Sequence, residues 1–275
     1  MIAAALALTA ALSWGVGDFL GGLKSKTLPA LSVLAVSQPI GFAALAIAVA
    51  IHWTAPPGLT VLWACLAAIL GTTGLLAFYR GMAAGALSIV APIAGAGAAI
   101  PVVWGLASGD RPSAVQDVGF VVAIAGVVLA SRERRAENTQ LAAGVGWAIV
   151  AMVAFGAYAI PMYTASREDF IWSSFVFRST SLTFVALALL ALRPRLPGRI
   201  DLPTLAAIGL LDTGGNVLFA AASSHGLVSV VSVLASLYPI VTVLLARRIL
   251  HERVQRGQEA GVLLALVGVV LISAG

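Results

Sequence analysis

Charge is scarce in this chain. Of 275 residues only 10% are Asp, Glu, Lys or Arg, while 60% are hydrophobic, and the mean hydropathy is +1.03. Soluble domains carry about 25% charged residues and are about 45–50% apolar. So few charges cannot cover a 28.0 kDa globule in water, which excludes a soluble enzyme and a nucleic-acid-binding protein. The pI near 10.0 reflects 16 Lys and Arg against 11 Asp and Glu, a modest excess whose placement matters more than its size. Cysteine is limited to Cys65, in an apolar run. That rules out an intrachain disulfide and a cysteine metal cluster, and Cys65 reads as a small buried hydrophobe. The histidines, His52, His225 and His251, are scattered, and His251-Glu252 lacks a second histidine four residues on. No Gly-x-Ser-x-Gly elbow or Walker loop occurs. The sequence therefore gives no reason to expect enzyme chemistry, a cofactor, a metal or ATP-driven transport.

What the chain has instead is long apolar runs. A membrane-spanning helix needs about 20 mostly apolar residues. Charge and Pro/Gly punctuation divides the chain into ten such stretches, near 2–22, 30–51, 61–80, 87–107, 114–131, 141–164, 170–192, 203–224, 227–247 and 256–274. The first could pass for a signal peptide. It has no basic n-region, its apolar stretch is too long, and Asp18-Phe19-Leu20-Gly21-Gly22 is a poor cleavage site, so it is read as a spanning helix. The runs far exceed strand length and lack the alternation of a membrane barrel. An all-α integral membrane protein is expected.

The chain also repeats itself. At an offset of 142, Arg111 falls on Arg253, Gly119 on Gly261, and Gly126-Val127-Val128-Leu129 on Gly268-Val269-Val270-Leu271. At 141, Thr72 falls on Thr213, Gly74 on Gly215, Phe78 on Phe219, Ser88 on Ser229 and Trp14-Gly15 on Phe155-Gly156. One near-constant offset from first span to last argues for two five-helix halves, 1–136 and 137–275, joined near Arg132–Asn138. Five is odd, so the second half enters the membrane from the opposite side. The expected architecture is ten transmembrane helices as two inverted five-helix repeats, an arrangement typical of alternating-access transporters with sites at the midplane.

Thirteen of the 16 basic residues lie in the odd-numbered loops, the exceptions being Arg111, Arg167 and the intrahelical Arg178. The positive-inside rule then sets the odd loops in the cytoplasm and both termini outside, in the cell (inner) membrane of a prokaryote.

Ser13-Trp14-Gly15-Val16, the run Ala86-Leu87-Ser88-Ile89-Val90-Ala91-Pro92, its counterpart Val228-Ser229-Val230-Val231 with Leu237-Tyr238-Pro239, the Glu252-Arg253 pair with its variant Asp110-Arg111, and the two Gly-Val-Val-Leu closures together resemble the ten-helix EamA-type branch of the drug/metabolite transporter superfamily. The resemblance runs the length of the chain. It implies a secondary transporter of amino acids, other metabolites or toxic cations, more often an exporter.

Ionisable groups at membrane depth mark pathways by default. Arg178 and Asp212 lie mid-way along the seventh and eighth spans, where antiparallel neighbours could pair. Arg178 could anchor a substrate carboxylate with Asp212 as counter-ion or proton acceptor, or the two could be a structural ion pair. Asp18 is a second proton-coupling candidate, although Lys24 is near enough to screen it as an interfacial pair. Gln38, beside Pro39, holds nearly the position of Arg178 under the repeat offset. Asn216 is one turn beyond Asp212 on the same face, able to meet a ligand or another helix. Trp14, Tyr79, Tyr158 and Tyr238 sit deep enough to line a cavity or simply to pack. Trp53, Trp63, Phe170 and Trp172 read as interfacial belt.

Pro92, Gly95, Gly97 and Pro101 predict an interrupted fourth span, and Pro239 and Pro161 predict kinks in the ninth and sixth. These are hinge candidates, or ordinary membrane-helix prolines. Ser229, Ser232 and Ser236 form a polar stripe best explained by packing. Gly17/Gly21, Gly81/Gly85 and Gly105/Gly109 fit close helix contact. The functional expectation is a secondary transporter of a small amphipathic metabolite or drug, with the lipid bilayer as its surroundings and a monomer sufficient. A membrane enzyme acting on lipid-linked substrates and a channel-like facilitator are the competing classes.

Overall fold

The computed structural model describes residues 1–52, 54–56, 58–85, 87–130, 139–250 and 256–274. The expected linker near Arg132–Asn138, Trp53 and the Glu252-Arg253 pair lie outside them. Every regular element among the described residues is helical. The first half holds α1 (Ile2–Ser25), α2 (Ala30–His52), α3 (Gly58–Ala84), α4 (Leu87–Gly95), α5 (Ala99–Ala107) and α6 (Ala114–Ala130). The second holds α7 (Thr139–Ser166), α8 (Phe170–Leu192), α9 (Leu202–His225), α10 (Val228–Ala235), α11 (Tyr238–Ile249) and α12 (Arg256–Ala274). Counting α4 with α5 and α10 with α11, eight spans are long and apolar enough to cross a membrane among the described residues, and Ala114–Gly126 is a shorter apolar helix. In a helix every backbone group at membrane depth is satisfied within its own segment. Large apolar side chains face outward on many of these helices, among them Leu12, Ile47, Leu62, Leu190 and Leu210. This is an all-α, multi-pass membrane protein.

The fourth and ninth spans are broken, and sequence chemistry says where. A proline ring clashes with the carbonyl four residues back and offers no N–H to it. For Pro239 that carbonyl belongs to Ala235, where α10 ends; α11 restarts with Pro239 in its first turn. For Pro101 it belongs to Gly97, inside the 3-10 turn Ala96–Ala98 that separates α4 from α5. The ninth span is thus interrupted rather than merely bent. In contrast, α7 runs unbroken through Pro161.

Helix pairing follows a pattern. α3 packs on α7 and α1 on α9; α2 packs on α8, and α6 on α12; α4 touches α7, while α1 touches α10 and α11. Exchanging each span with the one five places away maps this set onto itself. Close contacts repeat the exchange. A Cβ at Gly15 would lie 2.7 Å from Tyr238 O and 2.4 Å from Val241 Cβ. One at Gly156 would lie 2.5 Å from Gly97 O and 3.0 Å from Ile100 Cβ. All three residue pairs, Gly15/Gly156, Gly97/Tyr238 and Ile100/Val241, are 141 apart.

Loops meet loops of the same parity. At one end Lys24 Nζ donates to Asp201 Oδ1 at 2.7 Å and Ser32 Oγ to Arg195 O at 2.6 Å. At the other, Trp172 Nε1 donates to Thr54 O at 2.9 Å and His52 lies 3.0 Å from Asp169. Of the glycine pairs, Gly109 departs from expectation: nothing packs on it, and its φ of +107° marks a turn.

Candidate functional site

A cavity of about 90 Å³ opens between the two halves, with room for more than one water-sized group. The break in the fourth span contributes Gly95, Gly97, Ala98 and Pro101 to its wall, and the break in the ninth contributes Ala235, Ser236 and Tyr238. The remaining wall comes from α1, α2, α3, α7, α8 and α9, with Ala94 of α4 and Ser232 of α10. Helix interruptions are tolerated in a membrane where they are buried in protein or line a cavity, and both breaks do so here.

One side of the cavity is a polar chain. Arg178 Nη2 on α8 donates to Asp212 Oδ2 on α9 at 2.7 Å. Asn216 Nδ2, one turn along α9, donates to the Asp212 carbonyl at 2.8 Å. Tyr158 OH on α7 donates to Asn216 Oδ1 at 3.0 Å. Three helices of the second half are tied together, and the chain ends on a guanidinium only 1% exposed, whereas Asp212 keeps 16%. The Arg178 Nε has no partner among the described residues.

The opposite side is underused. Asp18 lines the cavity from α1 and is 8% exposed. Lys24 does not screen it, because its ammonium is held by Asp201. Gln38 is 2% exposed, and its Oε1, like Ser232 Oγ and Tyr238 OH, has no partner among the described residues; all three residues line the cavity. Aromatic rings close the circuit. Phe177, Tyr158, Phe219, Trp14, Tyr238 and Phe155 follow one another with centroid separations of 5.5, 5.8, 5.6, 6.5 and 6.4 Å, within the range of offset and edge-on aromatic contact.

Of the residues singled out from sequence, Trp14, Asp18, Gln38, Tyr158, Arg178, Asp212, Asn216 and Tyr238 line this one cavity, as do Gly95, Gly97 and Pro101. Tyr79 does not. It is fully buried behind α1, where its ring occupies the space a Cβ on Gly21 would need. Pro92 is buried inside α4 and Pro239 inside α11, and neither they nor Pro161 reach the cavity wall. No group of three or more potential metal ligands occurs among the described residues.

Residues 142–274 match the EamA-like transporter family. The match spans most of the second half of the chain and points to a membrane transporter of small molecules in a lipid bilayer. No curated protein sequence matches the chain. A solved structure titled only "Crystal structure of protein" is similar with a TM-score of 0.73, covering 99% of this chain and 96% of the other at 16% identity. At that identity the likeness shows the fold alone.

Part of the cavity lining was not evident from sequence. Phe177 and Phe219 carry no polar signal that separates a cavity ring from packing. Phe155 had one, since the repeat offset lays it on Trp14. Thr72 and Ser181, hydrogen-bonded to each other across α3 and α8 at the wall, were also overlooked. Asp110 proved more specific than a motif residue. Its Oδ2 accepts from Ser229 N at 3.0 Å and Ser229 Oγ at 2.6 Å, capping α10 and joining the first half to the second.

Proposed function

We propose that the chain is a secondary transporter that carries a small amphipathic metabolite or drug, such as an amino acid or an organic cation, by alternating access, in the direction of export. The observation that carries this reading is the position of the cavity. It lies where two helices break at points 141 residues apart, and each break packs its backbone on the glycine of the repeat-related helix, Gly156 for the first and Gly15 for the second. Two interchangeable packings of this kind are what an inverted pair of five-helix halves, 1–136 and 137–275, would use to open the same site to either face. The interrupted helices are the hinges in this reading, with Gly95, Gly97 and Pro101 at one and Pro239 at the other.

Several finer assignments rest on the same reading. Asp18 and Asp212 are the carboxylates able to take a proton within the cavity, and Arg178 holds Asp212 in place. The odd loops face the cytoplasm of a prokaryotic cell and both termini face out, supported by the bias of Lys and Arg. The lining residues come from a single chain, so a monomer suffices. Purified protein in sealed liposomes tests the proposal. Saturable flux of a solute, accelerated by the same solute on the opposite side, is expected. Flux linear in concentration, without acceleration, would mean a pore.

A further inference from the structure

The acidic and basic side chains lining the cavity are Asp18, Arg178 and Asp212. The guanidinium is committed to Asp212 at 2.7 Å, so of the two acids Asp18 is the one without a basic partner among the described residues. The α1 backbone at Gly17 packs against Leu211 and Asp212, the position of a Gly17 Cβ falling 3.6 Å from Asp212 N. The two acids therefore sit on adjoining turns of touching helices.

The surroundings of Asp18 suit a cation. Trp14 is one turn away on the same face of α1, with Tyr238 edge-on to it at 6.5 Å. Aromatic faces attract ammonium groups, most strongly when desolvated. Gln38 Oε1 and Tyr238 OH are buried and have no partner among the described residues, and both can accept from N–H donors. For an anion the cavity offers little. Its one guanidinium is already bound to Asp212, and a carboxylate would face the two acids, Asp18 and Asp212.

Given that this cavity is the transport site, we propose that it binds a monocationic amine without a carboxylate, the ammonium at Asp18 and Gln38, the apolar part against Trp14 and Tyr238. Within that reading a zwitterionic amino acid, whose carboxylate finds no free counter-charge there, is the weaker substrate.

A matched series tests this on full-length protein: phenethylamine, phenylalanine and 3-phenylpropionate, by thermal stabilisation in detergent and counterflow in proteoliposomes. Phenethylamine is expected to stabilise the protein and drive saturable counterflow at concentrations at least roughly tenfold below phenylalanine, the loss of a charge-assisted contact being of that size or larger. The anion is expected to do neither. Asp18→Asn should weaken the amine roughly ten- to hundredfold without lowering the unfolding temperature of the ligand-free protein, and Asp18→Glu should retain the preference. Counterflow of phenylalanine at equal or lower concentration than the amine would overturn the cation assignment and leave the transporter standing. An Asp18→Asn protein with unaltered preference, or a phenethylamine that does not bind, would also overturn it. Absence of counterflow with all three compounds would count against both.

Discussion

Cutting the Arg178–Asp212 pair from its two sides should give unequal results. Removing one partner of a buried ion pair costs about 3–5 kcal/mol, because the other charge is left unpaired, whereas replacing both is often close to neutral. Here the partners differ in burial, 1% for Arg178 and 16% for Asp212. Asp212→Asn strands a guanidinium that water cannot reach, and should cost about 3 kcal/mol or more. Arg178→Gln strands a carboxylate at the cavity wall, where solvent offsets part of the loss, and should cost about 1–2 kcal/mol. The double variant should return to within about 1 kcal/mol of wild type, while losing transport if the pair shapes the site. Equilibrium unfolding in mixed detergent micelles measures all four corners of the cycle. Additive single costs, or an Arg178→Gln variant less stable than Asp212→Asn, would refute the reasoning, and so would a double variant as unstable as the worse single one.

Three further outcomes follow from particular contacts. Gly15→Ala and Gly156→Ala place a methyl against backbone carbonyls at nearly equal distances, so each should lower stability by about 1–3 kcal/mol, and their thermal shifts should agree. Gly146→Ala, which meets nothing within 4 Å, serves as the control and should be neutral. Asp110→Ala should cost about 1–2 kcal/mol as a lost helix cap, and adding Ser229→Ala should cost little more, since both bonds share one acceptor; a double-mutant cycle by thermal unfolding reads this. Thr213 Oγ1 is buried without a partner among the described residues, whereas Thr72, 141 residues earlier, bonds Ser181. Thr213→Ala should therefore cost less than Thr72→Ala, which loses about 1 kcal/mol with its hydrogen bond; thermal unfolding of the two variants reads the difference.

The spans were legible because lipid enforces their length. The expected 30–51 and 170–192 became Ala30–His52 and Phe170–Leu192. Where ends shifted, as at Gly58–Ala84 and Thr139–Ser166, the extra turns run into the flanking polar sequence, where helix ends are not fixed by hydropathy. The break in the fourth span showed in its two prolines and two glycines. That in the ninth was understated, because a lone Pro239 reads as a bend and only the packing of Tyr238 and Val241 on Gly15 shows the room made for an interruption. Charged and amide residues of the site stood out because lipid makes them costly. Tyr79 was misplaced for a related reason: depth in a span is readable, but which side of the helix faces the cavity is not. The partner of Lys24 was hidden as well, since Asp201 is distant in sequence and only the meeting of odd loops brings it near.

Alternating access around the broken helices is tested most directly at Ser236, which lines the cavity beside the second break. In a Cys65→Ser background, Ser236→Cys protein in sealed vesicles is exposed to a membrane-impermeant thiol reagent from one face at a time. The account predicts labelling from either face, with substrate changing the two rates in opposite directions and no leak of small ions through the vesicle wall. Labelling from one face only, under every condition, would contradict it, as would simultaneous access accompanied by ion leak.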